Sequence, residues 1–89
     1  MAIFAGNDEM AAGAMKAAHE MGLTIPGDLS VAGFDDVPLA SQIWPSLTTI
    51  RQPIRAMSEK AADILLNQIR GEPVNGLQMI PSAMVIRDS

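Results

Sequence analysis

The sequence predicts an α/β protein built on a parallel sheet, and three observations lead to this prediction. Two short apolar runs, residues 1–5 and 29–34, are predicted to be strands, and the second, which turn-forming residues bound, fits a strand buried on both faces. Between them, residues 9–21 are rich in Ala, Met, Glu and Lys, which favour helix. Strand, helix and strand within about 35 residues make one βαβ unit. Helices are therefore expected to cover a parallel sheet.

The ends of the first helix are marked by residues with known capping preferences. Asn7 or Asp8 is expected to be its N-cap, and the charges of Asp8 and Glu9 favour the positive end of the helix dipole. Gly22 occupies the position of a left-handed C-cap. The helix has few polar positions, so we expect it to be buried on two sides, by the sheet and by a second helix or subunit.

A short helical turn and an extended segment follow the second strand. Residues 38–43 are expected to form the turn, with Pro38 at the first helical position, where its missing N–H costs nothing. Residues 47–50 are β-prone and are predicted to be extended.

The last third of the chain is predicted to be helix, loop and strand. Apolar residues recur at helical spacing over 54–70, and Gly71 is expected to end that helix. Residues 72–76 are predicted as loop. Residues 78–86 are predicted as a strand that Pro81 interrupts, which suits a sheet edge or a crossing between layers.

Composition limits the class of protein. Of 89 residues, 48% are hydrophobic and 18% charged, so the chain has more to bury than one small domain can hold. This indicates a partner chain or further sequence, and the chain enters its first strand as if it were part of a larger fold. The net charge of −4 and pI of about 4.6 argue against nucleic-acid binding by this segment itself.

Several kinds of site and location are disfavoured by what the sequence lacks. With no cysteine, disulfides and Cys-based metal sites are excluded, and a reducing cytoplasm is permitted. His19 is the single histidine, so we expect no metal site and no cofactor. No apolar run approaches the ~20 residues that span a bilayer, and no secretory signal opens the sequence. We expect a cytoplasmic protein with no membrane partner.

Polar side chains follow both strands of the predicted βαβ unit. Asn7 and Asp8 come after the first strand, and Asp35 and Asp36 after the second. Parallel strands end at the same edge of a sheet, where ligands bind in open α/β folds. The Asn7 amide and the Asp35 carboxylate can hydrogen-bond neighbouring hydroxyls of a sugar. The alternative is that both side chains only cap the elements that follow them.

Other interpretations of these residues are weaker. The acids could instead hold Mg²⁺, although no lysine or hydroxyl for a phosphate group is obvious at a strand end. The turn at Asn7 lacks the glycine pattern of a dinucleotide site. Trp44 could stack on a sugar, but its place beside Pro45 favours subunit packing. His19 is expected to be a polar helix residue or an interface contact, because no catalytic partner is evident.

Three blocks at matching spacing resemble the LacI/GalR family of bacterial transcription regulators. They are Ala-Gly-Asn-Asp-Glu-Met-Ala-Ala-Gly-Ala at 5–14, Gly-Leu-Thr-Ile-Pro-Gly-Asp-Leu-Ser-Val-Ala-Gly-Phe-Asp-Asp at 22–36 and Pro-Ser-Leu-Thr-Thr-Ile-Arg-Gln-Pro at 45–53. The likeness continues to Val-Ile-Arg at 85–87. It implies part of a periplasmic-binding-protein-like (type I) doubly wound parallel sheet with flanking helices.

The resemblance also implies a function without catalysis. In this family a small effector, commonly a sugar, binds between two lobes and changes the operator affinity of an N-terminal headpiece, which this chain lacks. Residues 1–53 would belong to the C-terminal lobe and end in an inter-lobe crossover. Residues 54–80 would pack on the N-terminal lobe, and 81–89 would form a return strand. A sugar-binding component of a transport system with the same core is the alternative.

Site residues follow from the same resemblance. Asn7 and Asp35 match effector contacts, Gln52 is a weaker candidate, and Asp8 and Asp36 are expected to cap or support them. The first helix and the segment 39–44 match the family's dimerisation surface. The predicted dimer contacts are Ala12, Met15, Lys16, Leu39, Gln42, Ile43 and Trp44.

Overall fold

The computed structural model describes residues 1–73 and 76–89. In chain order its elements are β1 (Ala2–Phe4), α1 (Asp8–Glu20), β2 (Ser30–Ala32), α2 (Leu39–Gln42), β3 (Thr49–Arg51), α3 (Ile54–Ile69) and β4 (Ala83–Val85). The chain forms two compact units. The first comprises Met1–Arg51 and Ala83–Ser89, and the second comprises Gln52–Ser82. Part of the loop predicted over 72–76, namely Val74 and Asn75, lies outside the described residues.

Strands β1 and β2 pair in parallel, which confirms the βαβ unit. Ala2 pairs with Ser30, and Phe4 with Ala32. Thr48 extends the pairing on the other side of β2 through a parallel bridge to Ala32. The expectation that residues 29–34 form a strand buried on both faces is met only in part, because Val31 is buried and Ala32 half-buried but Ser30 is exposed. The three residues of β1 are exposed. Within the described first unit, β1 is hydrogen-bonded to β2 alone, so its outer edge and one face are uncovered.

Helix α1 begins and ends as its sequence predicts. Asn7 is the N-cap, since its Oδ1 accepts a hydrogen bond from the backbone N–H of Met10 at 2.8 Å. Met21 is the C-cap, and Gly22 follows in the left-handed region with φ +77°. That conformation is favoured by glycine because it has no Cβ.

The core of the first unit lies between α1 and β2, and α2 and the segments before β2 and β3 complete it. Its apolar side chains come from α1, from the segment leading into β2, from α2 and from the residues before β3. The buried apolar residues are Ala5, Ala11, Met15, Ala18, Ile25, Leu29, Val31, Ala40 and Leu47. Pro38 is the N-cap of α2 instead of its first helical residue, because α2 begins at Leu39.

Strands β3 and β4 pair antiparallel, with Thr49 opposite Val85 and Arg51 opposite Ala83. Strand β4 is shorter than the predicted 78–86 and begins two residues after Pro81. A proline in the strand would have no N–H to donate, so pairing starts only beyond it.

Helix α3 dominates the second unit and follows Pro53. It ends at Ile69 with Arg70 as C-cap, and Gly71 has φ +75°, which confirms the predicted stop. None of its residues is buried in the described structure. That this helix packs on another lobe stays a prediction.

Candidate functional site

The loops after β1 and β2 lie against each other. The backbone N–H of Asp8 donates to the carbonyl of Phe34 at 3.1 Å, and the N–H of Val37 donates to Oδ2 of Asp8 at 2.8 Å. The polar residues at the two strand ends are therefore next to each other, as the parallel arrangement predicts.

Asn7 is half-buried at the start of α1 and uses its side-chain oxygen as the N-cap. The capping role is thus confirmed. It occupies Oδ1, whereas a ligand hydroxyl would be bound by the N–H donors of the same amide. Capping and ligand contact are therefore compatible, and the ligand contact stays a prediction.

Asp35 is exposed on a turn with unusual backbone geometry. Its φ is +106°, and that of Asp36 is +55°, so two consecutive non-glycine residues lie in the left-handed region. Few non-glycine residues adopt this conformation, although Asp tolerates it better than most. The N–H of Asp35 donates to the carbonyl of Ile50 at 2.9 Å, which fixes the turn to β3.

Asp8 is a buried residue that supports this turn through hydrogen bonds. It is fully buried, its Oδ1 accepts from the Thr49 hydroxyl at 2.6 Å, and its Oδ2 accepts from Val37. It is therefore not the helix cap but a supporting residue for the loop. Gly33 lies so close that a Cβ there would overlap Oδ1 of Asp8 and would be 3.1 Å from Cα of Asp8 and 3.0 Å from Cδ2 of Leu47.

Asp36 is held by two arginines. Its side chain is 8% exposed, Oδ2 lies 2.7 Å from Nη2 of Arg51, and Oδ1 lies 2.8 Å from Nη2 of Arg87. Burial alone raises the pKa of this carboxyl, but hydrogen bonds and positive charge from Arg87 and Arg51 outweigh it. The pKa is consequently lowered from its ordinary value of 3.8. Asp36 is therefore ionised near neutral pH and supports the turn rather than capping a helix.

Thr49, Arg51 and Arg87 are site residues that the sequence did not reveal. Thr49 and Arg87 lie 41 and 51 positions from Asp8 and Asp36 in the printed sequence. No local pattern connects residues at such separations. Thr49 belongs to the β-prone run 47–50, which predicted only an extended segment.

Gln52 lies in the second unit and is half-buried, and its backbone carbonyl accepts from the N–H of Ile54 at 2.9 Å. Its predicted effector contact stays a prediction.

Five of the seven predicted dimerisation residues line a groove beside α1. The groove is lined by Ala12, Met15, Lys16, His19, Glu20, Ile43 and Trp44. Trp44 is 84% exposed. Met15 is only 2% exposed and packs in the core, although it also lines the groove, and its predicted contact with a partner subunit stays a prediction. Leu39 and Gln42 lie on α2 outside this lining.

The described residues contain neither a cluster of metal-ligating side chains nor a membrane-spanning helix. Within 1–73 and 76–89, no three histidine or acidic side chains are grouped as metal ligands. Across the same residues, no helix has the length and apolar character needed to cross a bilayer.

Comparison with known proteins identifies the family. All of residues 1–89 match the family described as periplasmic binding protein-like domain. The lactose operon repressor of Rhizobium radiobacter is 40% identical over 88 residues, which are 99% of this chain and 78% of that protein. The chain belongs to the LacI/GalR family. The ribose operon repressor of Halalkalibacterium halodurans is 46% identical over 88 residues, 98% of this LacI/GalR chain but 27% of the repressor.

Solved structures show the same fold. The lac repressor dimer bound to operator and the anti-inducer ONPF has a TM-score of 0.91 and 41% identity, and covers 98% of this LacI/GalR chain. A dimeric lac repressor with an 11-residue C-terminal deletion has a TM-score of 0.88 at 41% identity. The chain corresponds to 26% and 32% of those two chains, respectively. The fold is therefore part of a periplasmic-binding-protein-like core.

Proposed function

We propose that this chain is the effector-sensing part of a LacI/GalR-type transcriptional regulator and that its effector is a sugar. The observation that supports this most is the meeting of Asn7 and the Asp35 turn at the ends of two adjacent parallel strands. Relatives named as ribose and lactose operon repressors support the sugar. Operator DNA would be bound by a headpiece outside this chain, and no reaction would be catalysed.

The chemistry of the site suits hydroxyl groups. The Asp35 carboxylate accepts hydrogen bonds from sugar hydroxyls, and the Asn7 amide donates to one while its oxygen caps α1. An effector that binds one arrangement of the two lobes better than the other shifts their equilibrium by its differential affinity. Linkage then requires operator affinity to change with effector occupancy.

We further propose that the regulator is a homodimer formed through the groove beside α1. The groove is lined by apolar side chains, including the exposed Trp44, beside three polar ones, and aromatic residues are enriched at protein interfaces. The solved lac repressors that share the fold are described as dimers.

The alternative, a sugar-binding component of a transport system, has less support. The relatives are named as operon repressors and transcriptional regulators, and the same fold occurs in a repressor bound to operator. A Mg²⁺-dependent enzyme has no support from the grouping of acids in the described residues.

The proposal is tested in the full-length protein with two substitutions that spare the fold. Asp35→Asn retains a residue that tolerates positive φ but removes the charge. Asn7→Ser retains an N-cap but removes the amide. We expect each to weaken ribose or lactose binding by about tenfold or more, since hydrogen bonds to charged or buried polar groups have that magnitude. Operator affinity without sugar should not change.

The matched control is Asp63→Asn, which removes an exposed carboxylate from α3. Calorimetric sugar titrations and operator binding assays should show this variant unchanged. Wild-type sugar response in both Asp35→Asn and Asn7→Ser would contradict the site assignment.

A further inference from the structure

We propose that Asp36 is a positioning residue, which holds the Asp35 turn in its ligand-accepting conformation and ties it to strands β3 and β4. This inference rests on the proposed function, because it concerns how the effector contact is presented. Asp36 itself is not assigned a contact with the effector.

Both oxygens of the Asp36 carboxylate are engaged. Oδ2 accepts from Nε of Arg51 at 2.7 Å, and Oδ1 lies 2.8 Å from Nη2 of Arg87. Arg87 is itself fixed, since its Nη1 donates to the carbonyl of Leu47 and its backbone N–H donates to the Thr48 hydroxyl, both at 2.9 Å. A carboxylate held on two sides by charged donors has one orientation available to it.

These contacts link the turn to the two places where the chain leaves and re-enters the first unit. The chain leaves this unit after Arg51, at the end of β3, and re-enters it at Ala83, at the start of β4. Asp36 therefore pairs with Arg51, the last residue before the chain leaves the first unit, and with Arg87, two residues after β4. A displacement of the turn must move one of these strands or break an ion pair.

The backbone of the turn needs such support. A φ of +106° at Asp35 is unfavourable for a residue with a Cβ and persists only where surrounding contacts hold it. Asp35 N–H to Ile50 and Asp36 N–H to the Thr49 hydroxyl, at 2.9 and 3.3 Å, attach the backbone to β3. The Asp36 side chain adds ion pairs with Arg51 and Arg87.

The ion pair between Arg51 and Asp36 is expected to contribute more to the orientation of the turn than to the stability of the fold. The Arg51 side chain is 61% exposed, and ion pairs at such exposed residues contribute little to the free energy of unfolding. What the contact provides is a fixed orientation of the turn. Its loss should therefore change effector affinity more than it changes the melting temperature.

The experiment compares Asp36→Asn, Arg51→Gln and their double variant with wild type in the full-length protein. Three quantities are measured: the Kd for ribose and for lactose, the melting temperature, and hydrogen exchange of the Asp35 amide. Arg55→Gln is the control, because Arg55 pairs with Glu59 on the exposed face of α3 at 3.1 Å. Arg51→Gln is the second variant should Asp36→Asn fold poorly.

We expect both single variants to raise the sugar Kd by about tenfold and to speed exchange of the Asp35 amide. The double variant should be no worse than Asp36→Asn, because Asp36→Asn already removes the ion pair with Arg51. Arg55→Gln should match wild type in all three measurements.

Two other outcomes are distinguishable. Wild-type Kd and Asp35 exchange in folded Asp36→Asn and Arg51→Gln would overturn the positioning role, even if both variants melt earlier. If wild type binds neither sugar while the variants still speed Asp35 exchange, the positioning role stands and the proposed sugar effector is wrong.

Discussion

Helices α1 and α3 have the same apolar spacing but different environments. Ala11, Met15 and Ala18 of α1 recur at intervals of four and three, and all are buried. The residues Met57, Ala61 and Ile64 of α3 recur at the same intervals, and none of them is buried. Spacing thus specifies which face of a helix is apolar, whereas a neighbouring layer determines whether that face is covered.

The difference also explains what each helix contributes to the site. Helix α1 is fixed against β2 by its buried face, so its N-terminus presents Asn7 and Asp8 at a defined place beside the Asp35 turn. Helix α3 has an apolar face that lines a groove with the segment around Met79. We interpret that face as the one predicted to pack on the other lobe.

The largest effect is expected for truncating methionine on α1. Met15→Ala should lower the free energy of unfolding by about 2–5 kcal/mol, because it leaves a cavity in the core. Met57→Ala, at a position 42% exposed, should cost no more than about 0.5 kcal/mol in this chain. Urea denaturation of the two variants measures both values.

The same pair of variants tests the predicted lobe contact. In the full-length protein, Met57→Ala should cost several times more than in this chain, because α3 would then be covered. An equally small cost in both contexts would show that α3 stays uncovered.

Gly33→Ala should be the next largest effect. The added Cβ would overlap Oδ1 of Asp8 and lie 3.0 Å from Cδ2 of Leu47, so the buried Asp8 carboxylate must shift, at a cost of about 1–3 kcal/mol. Gly13→Ala on α1 is the control. Nothing lies within 4 Å of the Cβ at Gly13, and alanine should stabilise the helix by about 0.5–1 kcal/mol. Opposite signs in thermal denaturation are therefore expected.

Lowering the pH should remove the difference in stability between wild type and Asp36→Asn. Although burial opposes it, the pKa of Asp36 is lowered by Arg87 and Arg51 in the folded state. The resulting stabilisation is present above the unfolded pKa and is lost as the pH falls through the folded pKa. Wild type should be more stable at neutral pH, and the two curves of stability against pH should converge below about pH 4. Parallel curves would mean that this carboxylate contributes nothing on folding.

The smallest effect concerns the caps of the two helices. Asn7→Ala should cost about 1 kcal/mol, because the Met10 N–H loses its acceptor. Asn7→Ser should retain most of that stability. Helix α3 has Pro53 at its N-cap and no side-chain hydrogen bond there, so Pro53→Ala should not show a comparable loss of capping. Helical circular dichroism during thermal melting checks all three.

Local features of this fold were predictable from the sequence because they depend on neighbouring residues. The Asn7 cap, the left-handed glycines at 22 and 71, and the parallel pairing of β1 with β2 all follow from short patterns. The same patterns predicted that Asp8 and Asp36 lie at the site. They did not predict which residues pair with either carboxylate.

The remaining features depend on residues that are distant along the chain. Burial of Asp8 against Thr49, and of Met15 in the core, results from packing that no local pattern encodes. The antiparallel pairing of β3 with β4 joins residues on either side of the whole second unit. Helical spacing on α3 likewise could not show whether a layer covers it.

The attachment of the last residues to the first unit has a consequence for synthesis. The Ser89 hydroxyl donates to the carbonyl of Val31 at 2.6 Å, and it accepts from the N–H of Thr48 at 2.8 Å. Residues 87–89 lie more than 30 positions after β3 in the sequence, so they are synthesised after β2 and β3. Until these residues are made, Val31 and Thr48 lack the Ser89 hydroxyl as a partner, and incompletely folded chains are the ones most prone to misassociation.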